Sequence, residues 1–210
     1  MKTIFLFMIM YSFSFSFTST SSLYNKLNLK DKMEYSVFKN AIKGSKKIKN
    51  ANHNYLTIID FTKPSTEPRF SVIDLKNKKL LYYTYVTHGK NSGKVLPTLF
   101  SNTLNSFQSS LGFYKTDTNA YIGDYGYSLR LKGLENRFNS NAYKRTIVIH
   151  GADYATKDYI DKVGFLGRSL GCPAIPTKIS KDVIDVLKGD SIVFIAGNDE
   201  RYLDESKFIN

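Results

Sequence analysis

The sequence predicts a mainly β domain carrying few helices. Three observations point there. Short runs rich in β-branched and aromatic residues recur from Tyr55 to Ala196, turn-forming residues punctuate them, and helical periodicity appears in only two stretches. A chain of 210 residues suits one such domain with an ordinary core.

Residues 1–22 open with Lys2, continue through the apolar run Ile4 to Tyr11, and leave through Thr18-Ser19-Thr20-Ser21-Ser22. One early charge, an apolar stretch and a small-residue exit match a secretory signal peptide, with cleavage expected between Thr18 and Ser22. The apolar part is short for a span of about 20 residues, so no stable membrane insertion is expected once the leader is removed. Residues 23–52 are read as a helix and a link. Asp31-Lys32-Met33-Glu34 resembles a capping box, Met33, Val37, Phe38, Ala41 and Ile42 recur at helical spacing, and Gly44 suits a stop.

The main domain is placed at 53–197. Strands are expected at Tyr55–Asp60, Phe70–Asp74, Lys79–Thr87, Phe113–Thr116, Tyr127–Leu131, Arg145–His150 and Ser191–Ala196, with a hairpin turn at Lys76-Asn77-Lys78. One late helix has Ser180 as N-cap, Val183, Ile184 and Leu187 on one face and Gly189 past its end. Loops at 88–112 and 151–171 are long enough to be functional. Residues 198–210 read as a polar tail.

Thirty Lys and Arg against 18 Asp and Glu give a formal charge of +12, which suits an anionic partner or a solvated basic face. The lysines are scattered and no nucleic-acid recognition motif is present, so nucleic acid is not the expected partner. Three histidines and one cysteine offer no metal-ligand spacing. No metal and no cofactor are expected.

Cys172 is the only cysteine. Exported proteins usually carry cysteines in pairs, so an unpaired thiol there is either buried or used. It stands in Gly167-Arg168-Ser169-Leu170-Gly171-Cys172-Pro173-Ala174-Ile175-Pro176, downstream of Thr146-Ile147-Val148-Ile149-His150-Gly151. A thiol nucleophile needs a nearby imidazole and exposed backbone N–H groups, and a glycine before the sulfur lets a substrate carbonyl approach. The alternative for Cys172 is a small buried hydrophobe, and for His150 a structural hydrogen-bonder. Arg168 and Ser169 make the turn polar, the electropositive setting that favours a reactive thiolate.

The run from His150 through Pro176 closely resembles the murein L,D-transpeptidase catalytic-domain family, in the branch whose active-site run ends Cys-Pro-Ala. Segments 59–65, 87–93, 110–114 and 127–131 are similar as well. The resemblance implies a β-sandwich-like L,D-transpeptidase catalytic fold in an exported enzyme, periplasmic or cell-wall associated. Such enzymes cleave the peptidoglycan stem tetrapeptide before its terminal D-alanine and pass the acyl group to an amine or to water. It further implies Cys172 as nucleophile, His150 as base and the Gly151 carbonyl as the group orienting the imidazole. The N–H groups of Gly171, Cys172 and Leu170 would hold the oxyanion. Leu170 and Ala174 stand where the broader family commonly has His and Asn or Arg, and Arg168 is expected to supply the missing cation unless it pairs with Asp153. Ser169, Tyr114 and Tyr127 are candidate cleft residues, and His88 either lines the donor pocket or supports its loop. Two other readings remain at this point: a different cysteine peptidoglycan hydrolase, and a non-catalytic module binding anionic envelope polymer.

Overall fold

A computed structural model describes residues 19–210. The expected leader therefore lies outside the described residues as far as position 18. Ser19 caps helix α1 (Thr20–Lys26), its hydroxyl accepting from the Ser22 N–H at 3.1 Å. Helix α2 (Tyr35–Lys47) presents Val37, Phe38, Ala41 and Ile42 to the core.

Nine strands then follow, β1 (Asn52–Asp60), β2 (Phe70–Asp74), β3 (Lys79–Thr84), β4 (Gly112–Thr116), β5 (Tyr121–Gly123), β6 (Gly126–Gly133), β7 (Val148–Gly151), β8 (Ala174–Ile175) and β9 (Ser191–Ala196). Helices α3 (Lys157–Val163), α4 (Thr177–Leu187) and α5 (Glu200–Glu205) lie among and after them. The strands form one sheet in the order β3-β2-β1-β9-β4-β6-β7-β8, with β5 added beside β6. Beyond the end of β3, Thr87 donates its N–H to Ala174 of β8 at 2.9 Å and accepts the Ala174 N–H on its hydroxyl at 3.1 Å. The two ends of the sheet thus meet, and the fold is a nearly closed, barrel-like sheet with a few helices. All six residues of β9 are buried, as suits a central strand covered on both faces.

Several expectations change. The helix expected to stop at Gly44 runs on to Lys47, because the Phe113 ring packs where a side chain would stand: a Cβ on Gly44 would lie 2.1 Å from its Cζ. Helix α4 starts at Thr177 behind Pro176 rather than at a Ser180 cap, and Ser180 donates back to the Thr177 carbonyl at 3.0 Å. Residues 23–52 are more than a helix and a link, since Tyr24, Leu27, Leu29 and Phe38 belong to the same core as the sheet. The loop at 151–171 carries α3, capped by Thr156 and closed by Gly164 at φ 85°.

The tail at 198–210 is likewise packed. Tyr202, Phe208 and Ile209 are buried, and the Glu135 carboxylate accepts from Tyr202 Oη at 3.2 Å, Ser206 Oγ at 2.5 Å and the Phe113 N–H at 2.7 Å. Glu135→Ala should cost about 3 kcal/mol, because three buried donors lose one charged acceptor. Urea unfolding measures this, and Glu135→Gln should recover part of the loss.

Candidate active site

Parallel pairing of β7 with β8 brings the histidine strand beside the Cys172 turn. The register sets His150 opposite Ala174 and Gly151 opposite Ile175, so Cys172, two residues before Ala174, emerges beside the end of the histidine strand. Both side chains line a cavity of about 130 Å³ with Tyr125, Tyr154, Arg168, Ser169 and Leu170. Cys172 also lines a second cavity of about 220 Å³, walled by Leu104, Asn105, Phe107, Tyr125, Lys144, Arg145, Thr146 and Leu170. Cys172, Tyr125 and Leu170 thus border both cavities.

The imidazole is held in one tautomer. His150 Nδ1 lies 3.0 Å from the Gly151 carbonyl, which can only accept, so Nδ1 carries the proton and Nε2 keeps its lone pair. Gly151 is required there, since a Cβ would stand 2.5 Å from Ser180 Oγ. The Tyr125 ring stacks on His150 at 4.7 Å and 27°. Burial holds the His150 pKa below its ordinary 6.5, and the Gly151 contact only partly offsets this.

The expected electropositive thiolate is corrected. Cys172 is 6% exposed, its Sγ donates to the Thr146 carbonyl at 3.7 Å, and burial pushes the thiol above its ordinary 9.0. The Val148 N–H and the Arg145 guanidinium pull it down by less. At neutral pH the pair is therefore thiol and neutral imidazole. In kcat/KM, the acid limb should fall below pH 6.5, because a depressed imidazole pKa keeps the base form at lower pH. Alkylation of Cys172 by iodoacetamide should keep accelerating through pH 9 without an early plateau. A plateau by pH 7 would contradict the burial argument.

The turn around the sulfur is internally braced. Ser169 Oγ donates to the Cys172 carbonyl at 2.6 Å and accepts the Gly171 N–H at 3.1 Å. That second bond removes Gly171 from the expected oxyanion donors. The N–H groups of Leu170 and Cys172 have no hydrogen bond within the described residues, and Leu170 is 47% exposed at the mouth. Ser169 itself is buried, so it braces the turn rather than meeting substrate. Gly171 adopts φ 123°, and a Cβ there would meet the Gln108 carbonyl at 2.9 Å.

Three candidate binding residues lie elsewhere. Tyr114 is 1% exposed in the core and donates to the Ser110 carbonyl at 3.0 Å. Tyr127 donates to Asp185 on α4 at 2.7 Å. His88 is fully buried, bonded to Arg69 and to the Gly93 carbonyl, and supports its loop instead of lining the cleft. Arg168 does reach the cavity. Its Nη1 donates to the carbonyls of Lys90 at 3.1 Å and Gly93 at 3.4 Å, while Asp153 is engaged by Thr177 Oγ1 at 2.6 Å.

Arg145 and Tyr125 carry no signal in the one-dimensional pattern. Arg145 directs Nη1 to the Ser101 carbonyl at 2.7 Å and Ser110 Oγ at 2.6 Å, and Nη2 to Ser106 Oγ at 3.2 Å and the Gln108 carbonyl. It therefore pins the 101–110 loop against the turn that carries Gly171 and Cys172. Left-handed backbone gathers at the same place, at Asn105, Phe107 and Thr146 as well as Gly171. For Thr146, a β-branched residue, that conformation is costly, and its carbonyl is the one facing Sγ. Arg145→Met should loosen this wall and lower kcat about 100-fold, from misplacement of the cavity rather than loss of a reacting group. Steady-state kinetics with a parallel thermal melt distinguishes this from unfolding.

A family model described as the L,D-transpeptidase catalytic domain matches residues 29–196. The chain belongs to this family. The match runs from before α2 to the end of β9 and includes every residue of both cavities. No curated protein matches the chain. Among solved structures, it is similar to an L,D-transpeptidase from Stackebrandtia nassauensis, 14% identical, covering 85% of this chain and 76% of that one, with TM-score 0.41. It is also similar to an L,D-transpeptidase from Mycobacterium smegmatis, 12% identical, covering 69% and 59%, with TM-score 0.42. A third is the helical cell shape determining protein of Campylobacter jejuni, 10% identical, covering 76% and 56%, with TM-score 0.46. The chain spans about 59% of the length of the Mycobacterium smegmatis protein. Among the described residues, no helix is long and apolar enough to cross a membrane, and no group of His, Cys, Asp and Glu is placed to hold a metal.

Proposed function

We propose that the protein is an exported cysteine L,D-transpeptidase acting on peptidoglycan stem tetrapeptides. The observation that carries this reading is the shared cavity of Cys172 and His150, with the imidazole anchored by Gly151 so that Nε2 is the free nitrogen. In the first step Sγ bonds to the carbonyl carbon preceding the terminal D-alanine. His150 Nε2 takes the thiol proton and delivers it to the departing D-alanine nitrogen as the C–N bond breaks. The thioester is then opened by an amine, giving a crosslink, or by water, giving a shortened stem; the imidazole accepts that nucleophile's proton and returns it to sulfur.

A thiol held protonated by burial fits this order, since the proton leaves as the substrate arrives. The N–H groups of Cys172 and Leu170 are the donors available to the oxyanion. Arg168, at the edge of the His150 cavity, grips a stem carboxylate. The polar exit at Thr18–Ser22 supports export to the periplasm or wall, and the charge of +12 supports an anionic envelope surface as the setting.

The test is to incubate the purified protein with tetrapeptide muropeptides and follow free D-alanine and dimer formation by mass spectrometry. Release of D-alanine, with or without dimers, is expected. Cleavage elsewhere in the stem would replace this reading with another cysteine peptidoglycan hydrolase. Binding without any cleavage, falling steeply with salt, would replace it with an envelope-binding module.

A further inference from the structure

Arg69 and His88 form a buried pair behind the active site that the proposed chemistry does not use. Arg69 is 1% exposed, and its guanidinium donates to the Val86 carbonyl from Nε at 3.2 Å and Nη2 at 3.0 Å, to the Lys63 carbonyl from Nη1 at 2.8 Å, and to His88 Nδ1 at 2.7 Å. Asp60 supplies the countercharge without a hydrogen bond to it; that carboxylate is taken by Thr62, and its Oδ2 has no partner. A buried cation of this kind adds little to stability compared with apolar packing. What it does is fix a ring. A guanidinium only donates, so Nδ1 must accept, and Nε2–H is left to donate to the Gly93 carbonyl at 3.1 Å.

The backbone around His88 holds both flanks of the nucleophile turn. The His88 carbonyl accepts the Ser169 N–H at 2.9 Å, and the Lys90 N–H donates to the Ser169 carbonyl at 2.8 Å. Thr87 Oγ1 donates to the Cys172 carbonyl at 3.3 Å, and its N–H joins Ala174. We infer that Arg69 and His88 are positioning residues: the pair locks the 87–93 segment, and that segment sets the turn carrying Cys172. Burial and the Arg69 and Arg168 charges hold His88 near pKa 4, so the ring stays a neutral acceptor across the working range.

The inference rests on the reading of Cys172 as the nucleophile, and its test includes a readout independent of the substrate. His88→Phe removes both ring contacts. His88→Gln restores an acceptor for Arg69 and a donor for Gly93. For each folded variant, kcat and KM for D-alanine release and the iodoacetamide rate at Cys172 are measured. In His88→Phe, kcat should fall about 100-fold with KM little changed, while alkylation speeds up at least about fivefold as the loosened turn exposes the sulfur. His88→Gln should recover most of both. Unchanged or slower alkylation in His88→Phe, or a glutamine variant as impaired as the phenylalanine one, overturns the inference. If His88→Phe does not fold, Arg69→Lys, which cannot make the forked contacts, carries the same readouts with the same criteria. Should the parent release no D-alanine while alkylation responds as stated, the positioning role stands and the transpeptidase reading fails.

Discussion

Cys172→Ala should lose D-alanine release by at least about 10⁴-fold while its thermal melt stays close to the parent's. Both halves follow from the same surroundings. The sulfur is the only thiol in the chain, and it faces two cavities, so its removal deletes the attacking atom. The turn around it is held by backbone and Ser169 rather than by Sγ, which meets only the Thr146 carbonyl in a long contact of 3.7 Å and the Val148 N–H. Alanine leaves those supports intact and vacates little volume. Activity within tenfold of the parent would sink the proposed mechanism. A collapse of the melt with it would instead place Cys172 among the core residues, the alternative its 6% exposure invites.

His150→Gln should reduce kcat by about 10³-fold, with the effect shrinking as pH rises. Glutamine can keep a donor near the Gly151 carbonyl, so the strand end and its pairing with Ala174 survive, but it has no basic nitrogen to take the thiol proton. At high pH the thiol ionises without help, and the variant regains part of the deficit. Folding stability should respond in the opposite part of the range. Burial depresses the pKa of both His150 and His88, so the unfolded chain binds protons that the native one refuses. Their contribution is complete above about pH 6.5 and is lost as pH falls below it, for His88 through about 4. Urea midpoints from pH 7 to 4 should decline in the parent and decline less in His150→Gln. A slope identical in both would show that the histidine is not desolvated.

Most strand segments were legible because their chemistry is local, although the runs Lys79–Thr87 and Arg145–His150 shorten to β3 at Lys79–Thr84 and β7 at Val148–Gly151. Phe70–Asp74 and Ser191–Ala196 are short apolar runs bounded by turn residues, and they form β2 and β9 over those residues. What the sequence concealed depends on distant partners. Gly44 looks like a helix stop until the Phe113 ring lies over it, and then it is the one residue that fits. Residues 198–210 look solvated because Glu135, which receives Ser206 and Tyr202, is more than sixty positions away. Cys172 and His150 were readable as a motif, whereas Arg145 and Tyr125 line the same cavities only because loop and hairpin bring them there. Tyr114 and Tyr127 misled for the converse reason: they stand on strands of the same sheet as His150 but turn their hydroxyls to Ser110 and Asp185.

Strand β9 lies between β1 and β4 and pairs with both. Without residues 191–196, β3-β2-β1 and the β4-to-β8 group would be joined as a sheet only through the Thr87–Ala174 hydrogen bonds. That seam lies beside Cys172, so the central strand rather than the contact next to the sulfur carries most of the joint between the two halves.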